Sequence, residues 1–204
     1  MDRLWTIREA AAIAQLSAKT IRSTIDREGL KRGQADEGRE WAGYSLSLRD
    51  LIYIKLRAEF PFALSKADRA ALEALVRGRK AAASGWRAAG QELVLQSASI
   101  TVNVDYGRLR ETVTRNAAAF EWGQQRIVSD LAIHGGEPIF RGTRILLAEV
   151  VSLIRKGMSD LQLAEKYPAL LEVDFDYARI FARLGKRPGR PRKPMEVHRN
   201  AEAA

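Results

Sequence analysis

The sequence predicts a mainly α-helical protein with small β elements, an α+β fold, and three features carry this expectation. Helix starts are marked by capping pairs such as Thr6 with Glu9, in which each side chain satisfies an orphan donor of the first turn. Alternation of apolar and polar residues from Ile100 to Val104 predicts a half-buried strand. Short apolar pairs around Gly136 and Gly142 are typical of extended segments joined by tight turns.

Composition limits the classes of partner and site. The 204 residues carry a formal net charge of +9, so a polyanion is the expected partner, with nucleic acid first and a membrane surface second. The absence of cysteine excludes disulfides and thiolate metal sites. His134 and His198 lie far apart in sequence, so no histidine metal site and no other cofactor is expected. Without an apolar run of signal-peptide or membrane-span length, the expected location is cytoplasmic.

The N-terminal region, residues 1–60, begins with two short helices. Ser17 can cap the second helix, from Ala18 to Glu28, and Ile21 and Ile25 lie one turn apart on its buried side. Two short helices joined by a tight turn predict a helix-turn-helix. The side chains that point away from the apolar stripe can meet phosphates and base edges, and they are Lys19, Thr20, Arg22, Ser23 and Arg27.

A wing-like segment follows, with two extended pieces around a turn rich in Gly and Asp. Ser47 with Asp50 then starts a third helix. This order of elements resembles the winged helix-turn-helix of MerR-like regulators. The resemblance implies that the second helix enters the major groove and that Arg39 and Trp41 of the wing approach the DNA backbone. The alternative is a helical dimerisation bundle with a solvated basic face.

The middle region, residues 61–126, shows no motif of chemistry. Ser65 with Asp68 starts a helix whose pattern continues to Ala83. The strand ending at Val104 pairs with the preceding apolar segment in a hairpin, and Asp105 can cap a further helix. We interpret this hairpin-plus-helix region as a connector or dimerisation region. Self-association and reception of a partner both remain open for it.

The C-terminal module, residues 127–184, has a short hairpin followed by three helices in its pattern. Its motif residues are Ile127, Val128, Ile133, Gly136, Glu137, Pro138, Arg141, Gly142, Thr143, Arg144, Ile145, Gly157, Met158, Ser159, Tyr167 and Pro168. This arrangement resembles the DUF433 family of domains of unknown function. Leu171 departs from that family's pattern, because a capping Thr or Ser is usual there.

The resemblance to DUF433 implies a role in bacterial toxin–antitoxin pairs. Domains of this family occur in antitoxins, some grouped with the VapB type, beside toxins resembling PIN-domain ribonucleases. Arg141 and Arg144 flank Gly142, where another chain can approach the backbone, so they are candidates to contact a toxin carboxylate or a phosphate. Local hydrogen bonds that cap the hairpin are the alternative for these arginines.

The tail, residues 185–204, is basic and rich in proline, a composition that predicts disorder. Arg187, Arg190 and Arg192 are candidate DNA contacts, because Gly189, Arg190 and Pro191 resemble the core of an AT-hook that lies in the minor groove. Arg190 and Arg192 are equally candidates to enter the carboxylate cluster of a PIN-like toxin. A solvated tail that adds non-specific affinity is the third interpretation.

The expected function is an antitoxin that neutralises a PIN-like toxin and represses its own operon. Its expected partners are that toxin and operator DNA, in a homodimer or a toxin–antitoxin hetero-oligomer, with no membrane. The alternative is a MerR-like regulator without a toxin partner. An enzyme is not expected, because the sequence shows no cysteine nucleophile and no phosphate-cradling loop.

Overall fold

The computed structural model describes residues 3–28, 45–60, 62–79, 85–96 and 101–184, and these ranges hold eight α-helices and five short β-strands. The expected mainly helical α+β fold is confirmed. The strands form two small antiparallel sheets, one of three strands and one of two. Within the same ranges, no helix combines the length and the apolar character needed to cross a membrane.

The first helix, α1, spans Ile7–Ala14 and begins with the predicted capping box. The Thr6 hydroxyl accepts the Glu9 N–H, while the Glu9 carboxylate accepts the Thr6 N–H at 2.9 Å. Gln15 adopts a left-handed φ of 57° directly after the helix. This single left-handed residue reverses the chain within a short turn.

The second helix, α2, spans Ala18–Glu28, as the pattern predicts. The Ser17 hydroxyl accepts the Thr20 N–H at 3.0 Å, which supplies one of the orphan donors of the first turn with a partner. Ile21 and Ile25 are both buried, so the apolar stripe faces the core and the basic side chains remain on the other side.

The third helix, α3, spans Leu48–Ala58 and has the predicted Ser47 and Asp50 capping box. Leu46, just before it, exchanges two backbone hydrogen bonds with Trp5 at 2.9 Å each. The chain therefore returns to the start of α1 after the segment predicted as a wing. Residues 31–44 of that segment lie outside the described residues.

The fourth helix, α4, spans Lys66–Val76, and Ser65 caps it together with Asp68. The helix ends at Val76, earlier than the expected end at Ala83, and residues 80–83 lie outside the described residues. Gly78 has a φ of +68°, and a left-handed glycine just after the last turn ends a helix even where the following alanines favour one.

A three-stranded antiparallel sheet follows, with β1 at Trp86–Ala89, β2 at Glu92–Gln96 and β3 at Thr101–Asp105. The pairing of β2 with β3 confirms the predicted hairpin. The strand β1 was not predicted, because only Trp86 of that strand is buried and the strand has no period-two pattern.

The fifth helix, α5, spans Tyr106–Arg126 and is the longest in the described ranges. The Asp105 carboxylate accepts the Arg108 N–H at 2.9 Å, which confirms the predicted cap. Val113 and Phe120, two turns apart, are buried on one face of the helix.

The C-terminal module has the expected short hairpin and three helices. The hairpin pairs β4, Ile127–Val128, with β5, Ile139–Phe140. The helices are α6, Leu147–Arg155, α7, Asp160–Lys166, and α8, Glu172–Leu184.

The start of α8 shows how the chain manages without a capping hydroxyl at Leu171. The Asp174 carboxylate accepts the Leu171 N–H at 3.0 Å, which is the returning half of a capping box. A backbone donor therefore has a partner although the apolar Leu171 side chain cannot cap the helix.

The core is arranged around α5, which packs against α1 and α3 as well as against α8. The Phe120 ring lies 5.9 Å from the Tyr177 ring of α8, measured between centroids. Asn116 is buried, and its side-chain amide donates to the Ile13 carbonyl of α1 at 2.8 Å. One continuous cluster of buried side chains thereby joins the first helices to the C-terminal module.

Candidate nucleic-acid interface and partner-binding turn

A basic cleft of about 490 Å³ opens beside α2. Residues four and eight positions apart share one side of a helix, so the predicted polar stripe forms a single wall. The α2 residues that line the cleft are Lys19, Thr20, Ser23, Thr24 and Arg27. Four of the five α2 residues predicted to contact DNA therefore lie together.

The opposite wall of the cleft adds two cations that were not predicted from the sequence. Arg57 comes from the end of α3 and Arg69 from α4. Together with Lys19 and Arg27 they make four positive charges, and no carboxylate is among the described lining residues. A cleft lined by charges of one sign concentrates a positive field and attracts phosphate.

Two aromatic rings belong to this wall as well. Phe60 and Phe62 lie with their centroids 5.7 Å apart, and Phe62 remains 40% exposed. The Arg57 guanidinium lies over the Phe60 ring at 5.9 Å. Exposed aromatic faces beside arginines are typical of surfaces that meet nucleic acid.

Hydrogen bonds orient the polar groups of the α2 wall. Arg27 donates its Nε to the Ser23 hydroxyl at 3.0 Å, and a second nitrogen of the same guanidinium also contacts that oxygen. The Thr20 and Ser17 hydroxyls are 2.8 Å apart. These bonds restrict the Arg27 rotamer, so less conformational entropy is lost when its guanidinium meets a phosphate.

The other predicted DNA contacts do not join the cleft. Arg22 is exposed on α2 but does not line it. The remaining predicted contacts lie outside the described residues, and they are Arg39, Trp41, Arg187, Arg190 and Arg192. Arg57 and Arg69 were missed because no local motif connects them with α2, from which they are separated by tens of residues.

The second candidate site is the turn after β5. Gly142 has a φ of +78°, a left-handed conformation that favours glycine. Thr143 closes the turn, since its hydroxyl donates to the Phe140 carbonyl at 2.8 Å and accepts the Ile145 N–H at 3.0 Å. The local capping considered for the arginines is thus performed by Thr143.

Arg141 and Arg144 are both exposed on this turn. Neither guanidinium makes a hydrogen bond or an ion pair with another residue in the described part of the chain. Both cations are therefore presented to solvent from a turn whose backbone is closed by Thr143, an arrangement that suits recognition of carboxylate or phosphate.

The turn is anchored to two helices through Arg126. The Arg141 N–H donates to the Arg126 carbonyl at 2.7 Å, and the Arg126 side chain donates back to the Arg141 carbonyl at 3.3 Å. The same guanidinium donates hydrogen bonds to the Asp174 carboxylate of α8. These bonds raise the pKa of Arg126 above its ordinary value. The backbone of the turn that carries the exposed arginines is therefore held in place by α5 and α8.

Comparison with known proteins bears on the C-terminal module alone. A family model described as "Protein of unknown function (DUF433)" matches residues 127–182. No curated protein and no solved structure matches the chain. The matched residues run from β4 into the last turns of α8, so they contain the arginine turn. Residues 127–182 of this chain are a DUF433 domain.

Proposed function

We propose that the protein is an antitoxin of a toxin–antitoxin pair, which neutralises a PIN-like ribonuclease and represses its own operon by binding DNA. One observation carries the proposal: a single core joins a DUF433 domain, with its exposed arginine turn, to a helix pair that bears a cation-lined cleft. The antitoxin role itself rests on the resemblance of the motif residues to antitoxin domains.

For DNA binding, α2 is the element that enters the major groove, which has the width of one helix. Arg22 on its exposed side is placed to read base edges, whereas the cleft cations Lys19, Arg27, Arg57 and Arg69 meet phosphates. The aromatic pair beside them adds contact area next to the backbone. A homodimer would place two such helices on a palindromic operator.

For toxin binding, Arg141 and Arg144 are the described candidates. PIN-like nucleases hold metal through clustered carboxylates, and arginine forms short, bidentate hydrogen bonds with carboxylates. Arg190 and Arg192 of the tail are candidates for the same task or for an AT-hook contact in the minor groove. Truncations and substitutions distinguish these roles, because each should remove either toxin neutralisation or DNA binding.

Co-expression with the nuclease encoded by a neighbouring reading frame tests the antitoxin half. The full chain should restore growth, and the double variant Arg141→Ala with Arg144→Ala should restore it less well. Lys156→Ala, an exposed cation elsewhere in the domain, is the matched control. A nuclease that stays toxic beside the folded wild-type protein excludes this role.

Operator binding tests the other half. Affinity for the protein's own promoter should fall steeply with salt, and charge reversal at Arg22 and Arg27 should abolish it. Truncation after Leu184 separates the interpretations of the tail. Loss of operator binding favours the AT-hook, and loss of neutralisation favours insertion into the nuclease.

A second candidate is a MerR-like regulator without a toxin, and one cavity favours it. A space of about 790 Å³ lies between α1, α5, α6 and α8, with the rings of Phe120, Tyr177 and Phe181 on its walls. Arg8 and Arg155 line it too, and each donates to a terminal carbonyl of α8. A small molecule bound there would touch both the DNA-binding helices and the DUF433 domain. DNA binding without any toxin-neutralising activity would select this function.

A further inference from the structure

An apolar strip lies on the surface between α5 and the start of α8, and it forms a groove of about 650 Å³. Its apolar lining residues are Ala118, Ala119, Trp122, Leu171 and Val173. Trp122 is 43% exposed and Leu171 is 53% exposed, values high for an indole and an isobutyl group that line one groove. We refer to this surface as the Trp122 strip.

The two helices run antiparallel along the strip. This arrangement determines the end of the strip at which each charged residue lies. The end of α5 meets the start of α8, because Arg126 pairs with Asp174. Trp122 therefore lies towards Glu172, at one end of the strip. Arg115, two turns earlier on α5, lies about 10 Å away at the other end.

The placement of Arg115 is supported by its effect on a neighbour. Burial raises the pKa of Asp176, the positive charge of Arg115 lowers it, and the negative charge of Glu172 raises it. Asp176 also lines the strip, and its carboxylate is already paired with Arg179 at 3.0 Å. Arg115 and Glu172, by contrast, make no hydrogen bond or ion pair with any other residue in the described ranges. Among the described residues, the strip therefore has an unpaired cation, Arg115, at one end and an unpaired anion, Glu172, at the other.

We propose that the Trp122 strip is a self-association surface that takes a second copy of this chain. A two-fold rotation about the centre of the strip places its positive end on the negative end of the other copy. Arg115 of each protomer then pairs with Glu172 of its partner, and Trp122 with Leu171 cover the apolar centre. Self-association through the strip needs neither toxin nor DNA, so it is independent of the antitoxin role.

Charge exchange on the full chain, without toxin or DNA, tests this geometry. Arg115→Glu gives each copy two negative ends, and Glu172→Arg gives two positive ends, so either variant alone should dimerise at least about tenfold more weakly than wild type. The double variant carries opposite ends again and should dimerise as wild type does. Sedimentation velocity measures all of these states.

Mixing the two single variants tests whether the two charged ends of the strip meet each other. In the mixed dimer, each of the two end-to-end contacts again joins one negative and one positive side chain. A heterodimer should therefore form although neither homodimer does. A tagged copy of one variant and differential labelling of the other report this exchange. A general loss of folding would not produce it.

The apolar centre is tested by Leu171→Asp, with Leu161→Asp on α7 as the matched control, because Leu161 is also exposed, at 70%. The first should weaken dimerisation at least about tenfold and the second should not. Far-ultraviolet circular dichroism and thermal melting verify folding of every variant. A monomeric wild type at its highest soluble concentration overturns the proposal, and so does a dimer indifferent to Arg115→Glu, Glu172→Arg and Leu171→Asp. A monomer whose toxin binding is lost in these variants would assign the strip to the toxin instead.

Discussion

The Arg126 guanidinium holds the carboxylate of Asp174 with two hydrogen bonds, at 3.1 Å from Nε and 2.9 Å from Nη2. The Asp174 side chain has no exposed surface, and its second interaction is with the Leu171 N–H. Three donors therefore compensate one buried charge. The pair connects the end of α5 to the first turn of α8, and the same arginine supports the turn that carries Arg141.

Arg126→Ala should lower the free energy of unfolding by about 3–5 kcal/mol, because a fully buried carboxylate loses its cation. Urea denaturation followed by circular dichroism measures the change. The double variant with Asp174→Ala should lose less than the sum of the two single variants, since neither partner is then left alone. The matched control is Arg141→Ala, an exposed arginine, which should change stability by about 0.5 kcal/mol or less. Equal effects of Arg126→Ala and Arg141→Ala would contradict this assignment.

Gly123→Ala should destabilise the protein by about 1–3 kcal/mol, although alanine ordinarily favours a helix. A Cβ atom at this position would overlap the Cβ, Cγ and Cδ2 atoms of the buried Tyr177. Thermal melting compares it with Gly107→Ala in the first turn of the same helix. There the added Cβ meets the exposed side chain of Gln91, whose amide end can rotate away and whose Cβ, at 2.9 Å, needs a shift of the turn between β1 and β2. A stabilising effect at Gly123 would contradict a close contact between α5 and α8 at Tyr177.

Tyr167→Phe should cost about 1 kcal/mol near neutral pH, because the Tyr167 hydroxyl donates to the Glu149 carboxylate at 2.6 Å. Burial and then this hydrogen bond raise the pKa of Tyr167 above its ordinary value of 10.0. The folded chain keeps the proton longer than the unfolded chain does. The contribution of Tyr167 is therefore complete below the unfolded pKa and is lost as pH rises through the folded one. Denaturation from pH 7 upwards should show the difference between wild type and Tyr167→Phe shrinking only above about pH 10.

Substitution of the cleft cations should separate phosphate contacts from base contacts. Arg27→Ala and Arg69→Ala should each weaken operator and random DNA alike and reduce the slope of log affinity against log salt by about one. Arg22→Ala, outside the cleft, should weaken the operator by about tenfold more than random DNA. Fluorescence anisotropy at several salt concentrations measures both quantities, with Lys156→Ala as the unchanged reference. Unaltered salt slopes for Arg27→Ala and Arg69→Ala would remove the cleft from the interface.

Local patterns predicted well those features whose physical cause is local. The capping boxes at Thr6, Ser47 and Ser159 involve only residues three positions apart, so sequence spacing suffices to identify them. The β2–β3 hairpin follows from alternation in the same way. The strand β1 could not be predicted, because its pairing with β2 provides the stability that its own residues do not signal.

The candidate sites also combine features that local spacing predicts with features that depend on the packing of distant segments. The polar stripe from Lys19 to Arg27 was visible from helical spacing, and the arginine turn was visible from Gly142 and its neighbours. The second wall of the cleft was not, since Arg57 and Arg69 meet α2 only when α3 and α4 pack. The Trp122 strip was invisible for the same reason, because its two sides come from helices far apart in the chain.

The sequence by itself determined the class of fold, most helix starts, the basic stripe of α2 and the DUF433 motif, since capping, periodicity and glycine conformation act over a few residues. Only the tertiary structure decided what these elements meet. In the folded chain α5 lies at the centre and Arg126 pairs with Asp174. The cleft and the strip are each lined by residues from distant segments. The physical reason is that burial and ion pairing depend on distances in space, and local spacing carries no record of which helix covers which apolar face.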